Sequence, residues 1–230
     1  AEGAKIYRLD HGDGYPRCIS LAKNNNYLMK SGIAAGTSVL DIVEDATSST
    51  CWKETGVCVG GFGKQNEWLI TVGNSVEQNA DNYDVGGQRN VFVTLTKDVD
   101  GEDFAGSFTV WLTQYNSGDD VDMGNPYLVM DKDGYYVLWE ETRMEQKKST
   151  TVTKIVKMNT AGKITEGPYT LQARLSGCQP IITSDDRLMW YVTNETAPLF
   201  YSLDLKNLSE YDNIEIGQDE ASSPSTSPDT

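Results

Sequence analysis

Apolar and polar residues alternate along much of this chain in short runs. Tyr135-Tyr136-Val137-Leu138-Trp139, Trp68-Leu69-Ile70-Thr71-Val72, Val91-Phe92-Val93-Thr94-Leu95 and Phe108-Thr109-Val110-Trp111-Leu112 are short and rich in β-branched and aromatic residues. That pattern reads as strands. Polar clusters such as Asp131-Lys132-Asp133-Gly134 and Asn159-Thr160-Ala161-Gly162 separate such runs and read as turns. An apolar period of 3.6 residues is not sustained over a helical length. Ser31 to Leu40 comes nearest, and Gly32 and Gly36 interrupt it. The pattern predicts an all-β chain.

The strands recur in a repeated order. One unit runs Gly124-Asn125-Pro126-Tyr127-Leu128-Val129-Met130, then the turn Asp131 to Gly134, then the strand ending at Trp139. A second runs Gln179-Pro180-Ile181-Ile182-Thr183, a turn over Ser184 to Arg187, then Leu188-Met189-Trp190-Tyr191-Val192. A third runs Tyr15-Pro16-Arg17-Cys18-Ile19-Ser20-Leu21, a turn over Lys23 to Asn26, then Tyr27-Leu28-Met29. Each is proline, strand, polar turn, strand. Proline suits a strand's first position, where no ladder donor is needed. A shorter pattern accompanies them: Ile6-Tyr7-Arg8-Leu9-Asp10, Ile155-Val156-Lys157-Met158-Asn159 and Phe200-Tyr201-Ser202-Leu203-Asp204. The last two follow their hairpins as a third strand would. A more degenerate unit fits around Trp68 and Phe92, with an insertion.

These residues resemble β-propeller repeats of the loose kind that reads proline, strand, Asp-Gly turn, strand ending in Trp. The resemblance covers most of residues 5 to 205 and points to a fold type rather than a particular family. The spacing of Pro126 and Pro180, 180 − 126 = 54 residues, is close to the length of a four-stranded blade. It implies a propeller of about four to five small blades, closed by the N-terminal strand lying beside residues 199–205 or near the last blade. A β-sandwich is the alternative. If first and last blades are neighbours, Cys18–Cys178 would bridge them and Cys51–Cys58 would close a local loop, each with Cα atoms within ~7 Å.

Composition adds compartment and boundaries. The chain has 230 residues, enough for one sizeable domain or two small ones, and the repeats are assigned to a single domain over 1–213. Residues 214–230 turn to Ser, Thr, Pro and acid, with little to bury, and read as a tail or linker. That tail suggests one module of a longer chain or assembly. The opening residues Ala1-Glu2-Gly3-Ala4 suit a processed or excised chain. Four cysteines without a C-x-x-C pair, and the sequons at Asn194 and Asn207, favour an oxidising, secreted setting. The net charge of −15, from 19 basic and 34 acidic residues, disfavours nucleic acid and anionic membranes. No run approaches the ~20 apolar residues of a membrane span.

Candidate chemistry is sparse. Asp98, Asp100 and Asp103 alternate around Gly101 and could converge on calcium, the one cofactor suggested, although Asp and Gly are also ordinary turn formers. Asp119-Asp120-Val121-Asp122 and Asp131-Lys132-Asp133 are weaker versions. Glu140 and Glu141 are adjacent on a strand and so face opposite ways, which rules them out as one glycosidase pair. Ser184 to Trp190 approaches a sialidase-type box but lacks its glycine. His11 stands alone, and Gly60-Gly61-Phe62-Gly63-Lys64 lacks phosphate-loop spacing and reads as a loop. Of five tryptophans, four flank apolar strands and read as core. Trp52, between Cys51 and Cys58, is the candidate exposed contact. The expected role is a secreted, non-catalytic module for extracellular protein assembly or adhesion. A glycan-binding lectin-like propeller and a fragment of a carbohydrate-active enzyme are the alternatives.

Overall fold

A computed structural model describes residues 6–11, 19–24, 37–38, 58–76, 89–99, 104–116, 118–124, 126–193 and 198–215. Among them the chain is all-β, with sixteen strands in four antiparallel sheets and no helix. Among the described residues no helix is long and apolar enough to cross a membrane. The chain divides into two compact units, 1–174 and 175–230.

The first unit holds three sheets. The first is β1 (Ile6–His11), β2 (Ile19–Asn24) and β3 (Thr37–Ser38), in that order. The second is a four-stranded meander of β4 (Cys58–Gln65), β5 (Trp68–Val76), β6 (Arg89–Asp98) and β7 (Phe104–Trp111). Trp68 and Phe92, around which the sequence suggested a degenerate unit, lie on its strands β5 and β6. The third contains β8 (Val121–Met123), β9 (Tyr127–Asp131), β10 (Gly134–Glu145), β11 (Lys148–Asn159) and β12 (Ile164–Leu171). Strands β8 and β9 pair one after the other with the long β10, so this sheet is also four positions wide. The second unit holds one further four-stranded meander, β13 (Ile181–Ile182), β14 (Arg187–Thr193), β15 (Pro198–Asp204) and β16 (Asp212–Glu215).

Two of the three expected hairpins form where the sequence places them. Leu128 pairs with Val137 across the turn at Lys132 and Asp133, and Ile182 pairs with Leu188 across the second turn. Ile155 to Asn159 and Phe200 to Asp204 supply the third strands, β11 and β15.

Three expectations are corrected. In the N-terminal unit, Lys23 and Asn24 belong to β2 rather than to a turn, because they pair with Tyr7 and Ile6. Tyr27 to Met29 lie outside the described residues. The N-terminal strand does not pair with residues 199–205. β1 folds back on β2, and both edges of β15 are taken by β14 and β16. A short connection makes that local hairpin the cheaper closure. Finally, Gly60 to Lys64 is strand β4, not a loop. A Cβ on Gly60 would run into the Pro126 carbonyl. One on Gly61 would lie 2.8 Å from Leu128 Cβ, and one on Gly63 2.5 Å from Met130 Sδ. Glycine lets β9 lie directly against β4.

The second and third sheets share one core. Ile70, Val72, Val91, Val93 and Leu95 pack with Val121, Met123, Leu128, Tyr135, Val137, Trp139, Val156 and Met158. Their other faces are dry as well. Phe92, Thr94 and Thr96 on β6, and Tyr136, Leu138 and Ile155 on the third sheet, are fully buried. Strand β6 therefore loses the in-out alternation of a half-solvated antiparallel strand. Side-chain amides pin the two sheets together. Asn74 Nδ2 donates to Gly124 O at 3.1 Å, and Gln65 Nε2 donates to the carbonyls of Asp131 and Lys132 at 2.9 Å each. In the second unit Leu188, Trp190, Tyr201 and Leu203 form the buried face, with Trp190 stacked on Tyr201 at 5.3 Å.

Candidate functional site

The one dense cluster of buried polar chemistry among the described residues is built on β10. Strand alternation puts Tyr135, Val137, Trp139, Glu141 and Arg143 on one face. The first three are core. Glu141 continues the same stripe and is itself buried, its side chain 2% exposed. Register places Lys154 of β11 opposite Trp139, on that face.

Tyr115 arrives from the segment after β7, and Asn90 of β6 holds it there. Asn90 Oδ1 accepts from the Tyr115 amide at 2.7 Å and from Thr113 Oγ1 at 2.9 Å, while Asn90 Nδ2 donates to Tyr115 O at 3.0 Å. The phenol so positioned meets the carboxylate of Glu141 at 3.1 and 3.2 Å. Trp139 Nε1 donates to Glu141 Oε1 at 3.1 Å. Arg143 donates to the Tyr115 oxygen at 3.0 Å, with its guanidinium over the phenol ring. Arg143 and Lys154 each lie 3.9 Å from Glu141 Oε2, and Lys154 also donates to Thr170 Oγ1 at 2.7 Å. Burial raises the pKa of Tyr115 above its usual value. The adjacent charge and hydrogen bond of Glu141 add to this, and Arg143 partly offsets it.

Chemically this is a closed network. The carboxylate accepts from a phenol and an indole and has two cations beside it, and almost none of it is open to a substrate. Glu140 is occupied separately, accepting from Arg174 Nε at 2.7 Å. The two glutamates thus hold different partners, as adjacent strand positions require. The cluster ties the segment after β7 to β10, and so the second sheet to the third. Sequence reasoning weighed Glu141 only as half of a pair. The available signal was an acid continuing the stripe of Tyr135, Val137 and Trp139. Nothing local marks Tyr115.

The residues singled out from the sequence are dispersed. Asp98 ends β6, its side chain 4% exposed, and its Oδ2 accepts from Lys64 Nζ at 2.7 Å. Lys64 supplies the counter-charge there. Asp100 and Asp103, its companions in the calcium reading, lie outside the described residues. Among the described residues no group of three or more His, Cys, Asp or Glu is placed to hold a metal. Trp52, Cys18, Cys51 and Asn194 also lie outside them. Cys58 opens β4. Cys178 is a half-buried free thiol. A hydrogen bond with it raises the pKa of Tyr191. Asn207 is exposed, and its Oδ1 accepts from Ser209 Oγ at 2.6 Å and from the Ser209 amide at 3.3 Å. Trp139 and Trp190 are buried, and Trp68 packs partly buried on the core.

Searches against family models, curated proteins and solved structures find no match to this chain.

Proposed function

We propose that this chain is a non-catalytic module of extracellular protein assembly or adhesion, and that its four-stranded sheets are successive blades of a β-propeller. What supports the propeller is the order of the sheets along the chain together with burial on both faces of the second and third. A two-sheet sandwich leaves one face of each sheet to water. A sheet between two neighbours does not.

The observation that carries the functional reading is the closure of the Glu141 network. The cluster around Glu141 clamps two sheets, and its carboxylate, 2% exposed, is closed by its partners. A retaining or inverting glycosidase needs two carboxyl groups about 5–10 Å apart across a substrate. The secreted setting rests on the four cysteines, the sequons at Asn194 and Asn207 and the charge of −15. Calcium at Asp98, Asp100 and Asp103 belongs to the same proposal, with Lys64 as the competing cation.

The chain expressed behind a signal peptide in a secretory host tests this reading. Loss of mass on enzymatic deglycosylation is expected, and on secretion into an oxidising medium the Cys178 thiol, free in this structure, is expected to close onto Cys18 on non-reducing peptide mapping. Binding to individual extracellular proteins, with no signal on a glycan array, is the expected recognition pattern. Saturable binding to one glycan class would replace assembly with the lectin reading, and turnover of a glycoside would replace it with an enzyme.

A further inference from the structure

Strand β7 ends the second sheet, and its outer edge is bare. The β6–β7 register sets Phe92 against Trp111, Thr94 against Thr109 and Thr96 against Ser107. One step further along, the Leu112 amide donates to Val91 O at 2.8 Å. Antiparallel pairs alternate between bonded and non-bonded. Counted from that bond, Phe108 and Val110 direct their backbone groups at β6. Ser107, Thr109 and Trp111 turn theirs outward. Thr94 Oγ1 and Thr109 Oγ1 lie 2.8 Å apart, as the closer approach of a non-bonded pair allows. Among the described residues nothing pairs with the outward amides and carbonyls of Ser107, Thr109 and Trp111.

Proteins blunt such edges with charge, proline, shortness or a covering strand. The other edges among the described strands are guarded in these ways. β1 carries Arg8 and Asp10, β12 carries Glu166 and Pro168, and β16 carries Asp212 and Glu215. β4 carries Lys64 and lies against β9. β3, β8, β9 and β13 are five residues or shorter. β7 runs eight residues. Residues 104–118 hold no charged side chain and no proline, in a chain of net charge −15.

We infer that β7 pairs antiparallel with β7 of a second copy of the chain, joining two second sheets edge to edge. The bare edge needs an extended, uncharged strand with one free side, and β7 is the described strand that supplies it. Antiparallel pairing of identical strands closes on a two-fold axis. A register centred on Thr109 sets the outward residues against one another, Thr109 opposite the partner's Thr109 and Ser107 opposite the partner's Trp111. It also sets Phe108, 39% exposed, opposite the partner's Val110 on the same face. The uncharged stretch keeps like charges from meeting across the axis.

This inference goes beyond the assembly reading and does not rest on it. Analytical ultracentrifugation of the whole chain under reducing conditions, from about 1 to 300 μM, reads self-association directly. The wild type is expected to move from monomer to dimer over that range. Hydrogen exchange read by mass spectrometry is expected to slow in the 104–112 peptide as concentration rises. Ser107→Pro removes an outward donor and leaves the ladder to β6 intact, as proline on an edge strand does. It is expected to keep the wild-type fold by circular dichroism and to weaken dimerisation at least about ten-fold. A wild type that stays monomeric overturns the inference. So does a dimer whose 104–112 peptide gains no protection, or a folded Ser107→Pro chain that dimerises as strongly as the wild type. Should Ser107→Pro not fold, the exchange of the wild type decides alone.

Discussion

Replacing Gly60 by alanine should unfasten the second sheet from the third. A Cβ at this position meets the carbonyl oxygen and carbon of Pro126 and the proline ring. The first two are backbone and cannot rotate aside. Relief requires β4 and β9 to separate, which opens the packing of Leu128 against the core. Over-packing of a dense interior costs typically ~1–3 kcal/mol. The rigid obstacle puts Gly60 at the upper end, while the stiffer unfolded chain returns at most ~1 kcal/mol. A net loss of about 2 kcal/mol corresponds to a fall of about 1 M in the urea midpoint. Gly61→Ala, blocked at 2.8 Å by Leu128 Cβ and 2.9 Å by its amide, should follow closely. Gly63→Ala should cost least of the three, because it meets the flexible Met130 side chain. Gly177→Ala, with nothing within 4 Å, is the control and should be near neutral. Equilibrium urea unfolding followed by circular dichroism reads the series. A Gly60→Ala protein as stable as Gly177→Ala would refute the close approach of β4 and β9.

Other perturbations reach different parts of the same structure. Glu141→Leu should cost about 2–3 kcal/mol by denaturant unfolding, since it strands the buried Trp139 Nε1 and the Tyr115 hydroxyl, whereas Glu141→Gln keeps an acceptor and should cost about 1 kcal/mol. Burial raises the phenol pKa of Tyr135 and Tyr136, and Tyr115 is raised by burial and Glu141. The folded state therefore holds these protons more tightly than the unfolded chain. Their contribution is complete below pH ~10 and is lost as pH rises above it. Absorbance at 295 nm should show these tyrosines ionising late, together with alkaline unfolding. The β10–β11 turn places Gln146 at φ 49° and Lys147 at φ 68° without a glycine. Lys147→Gly should raise stability by up to about 1 kcal/mol, read as an increase in Tm.

The parts of the fold that were legible are those specified by neighbours in sequence. The turns at Lys132-Asp133 and at Ser184 to Arg187 carry their own chemistry, and Trp139 and Trp190 sit in runs apolar enough to require burial. Segments governed by distant residues were not legible. Gly60 to Lys64 looks like a loop until Pro126, Leu128 and Met130 arrive against it. Glycine inside a strand also marks the close approach of another backbone, and that was the missed signal. The N-terminal strand carries the same pattern as β11 and β15, yet pairs with β2, because pattern specifies a strand and not its partner. Tyr115 is one of twelve tyrosines, and only the amide of Asn90 brings it to Glu141.

The most direct test of the account concerns the face of the third sheet turned away from the second. Ile155 lies there, fully buried, where a sandwich would meet water. Urea unfolding of Ile155→Lys measures whether that face is covered. Burying an unpartnered ammonium costs at least about 3 kcal/mol. The account predicts a midpoint lowered by 1 M or more, on the order of that cost divided by a typical urea slope, or failure to fold. A variant with the wild-type midpoint would place Ile155 in water and contradict the stacked-sheet architecture.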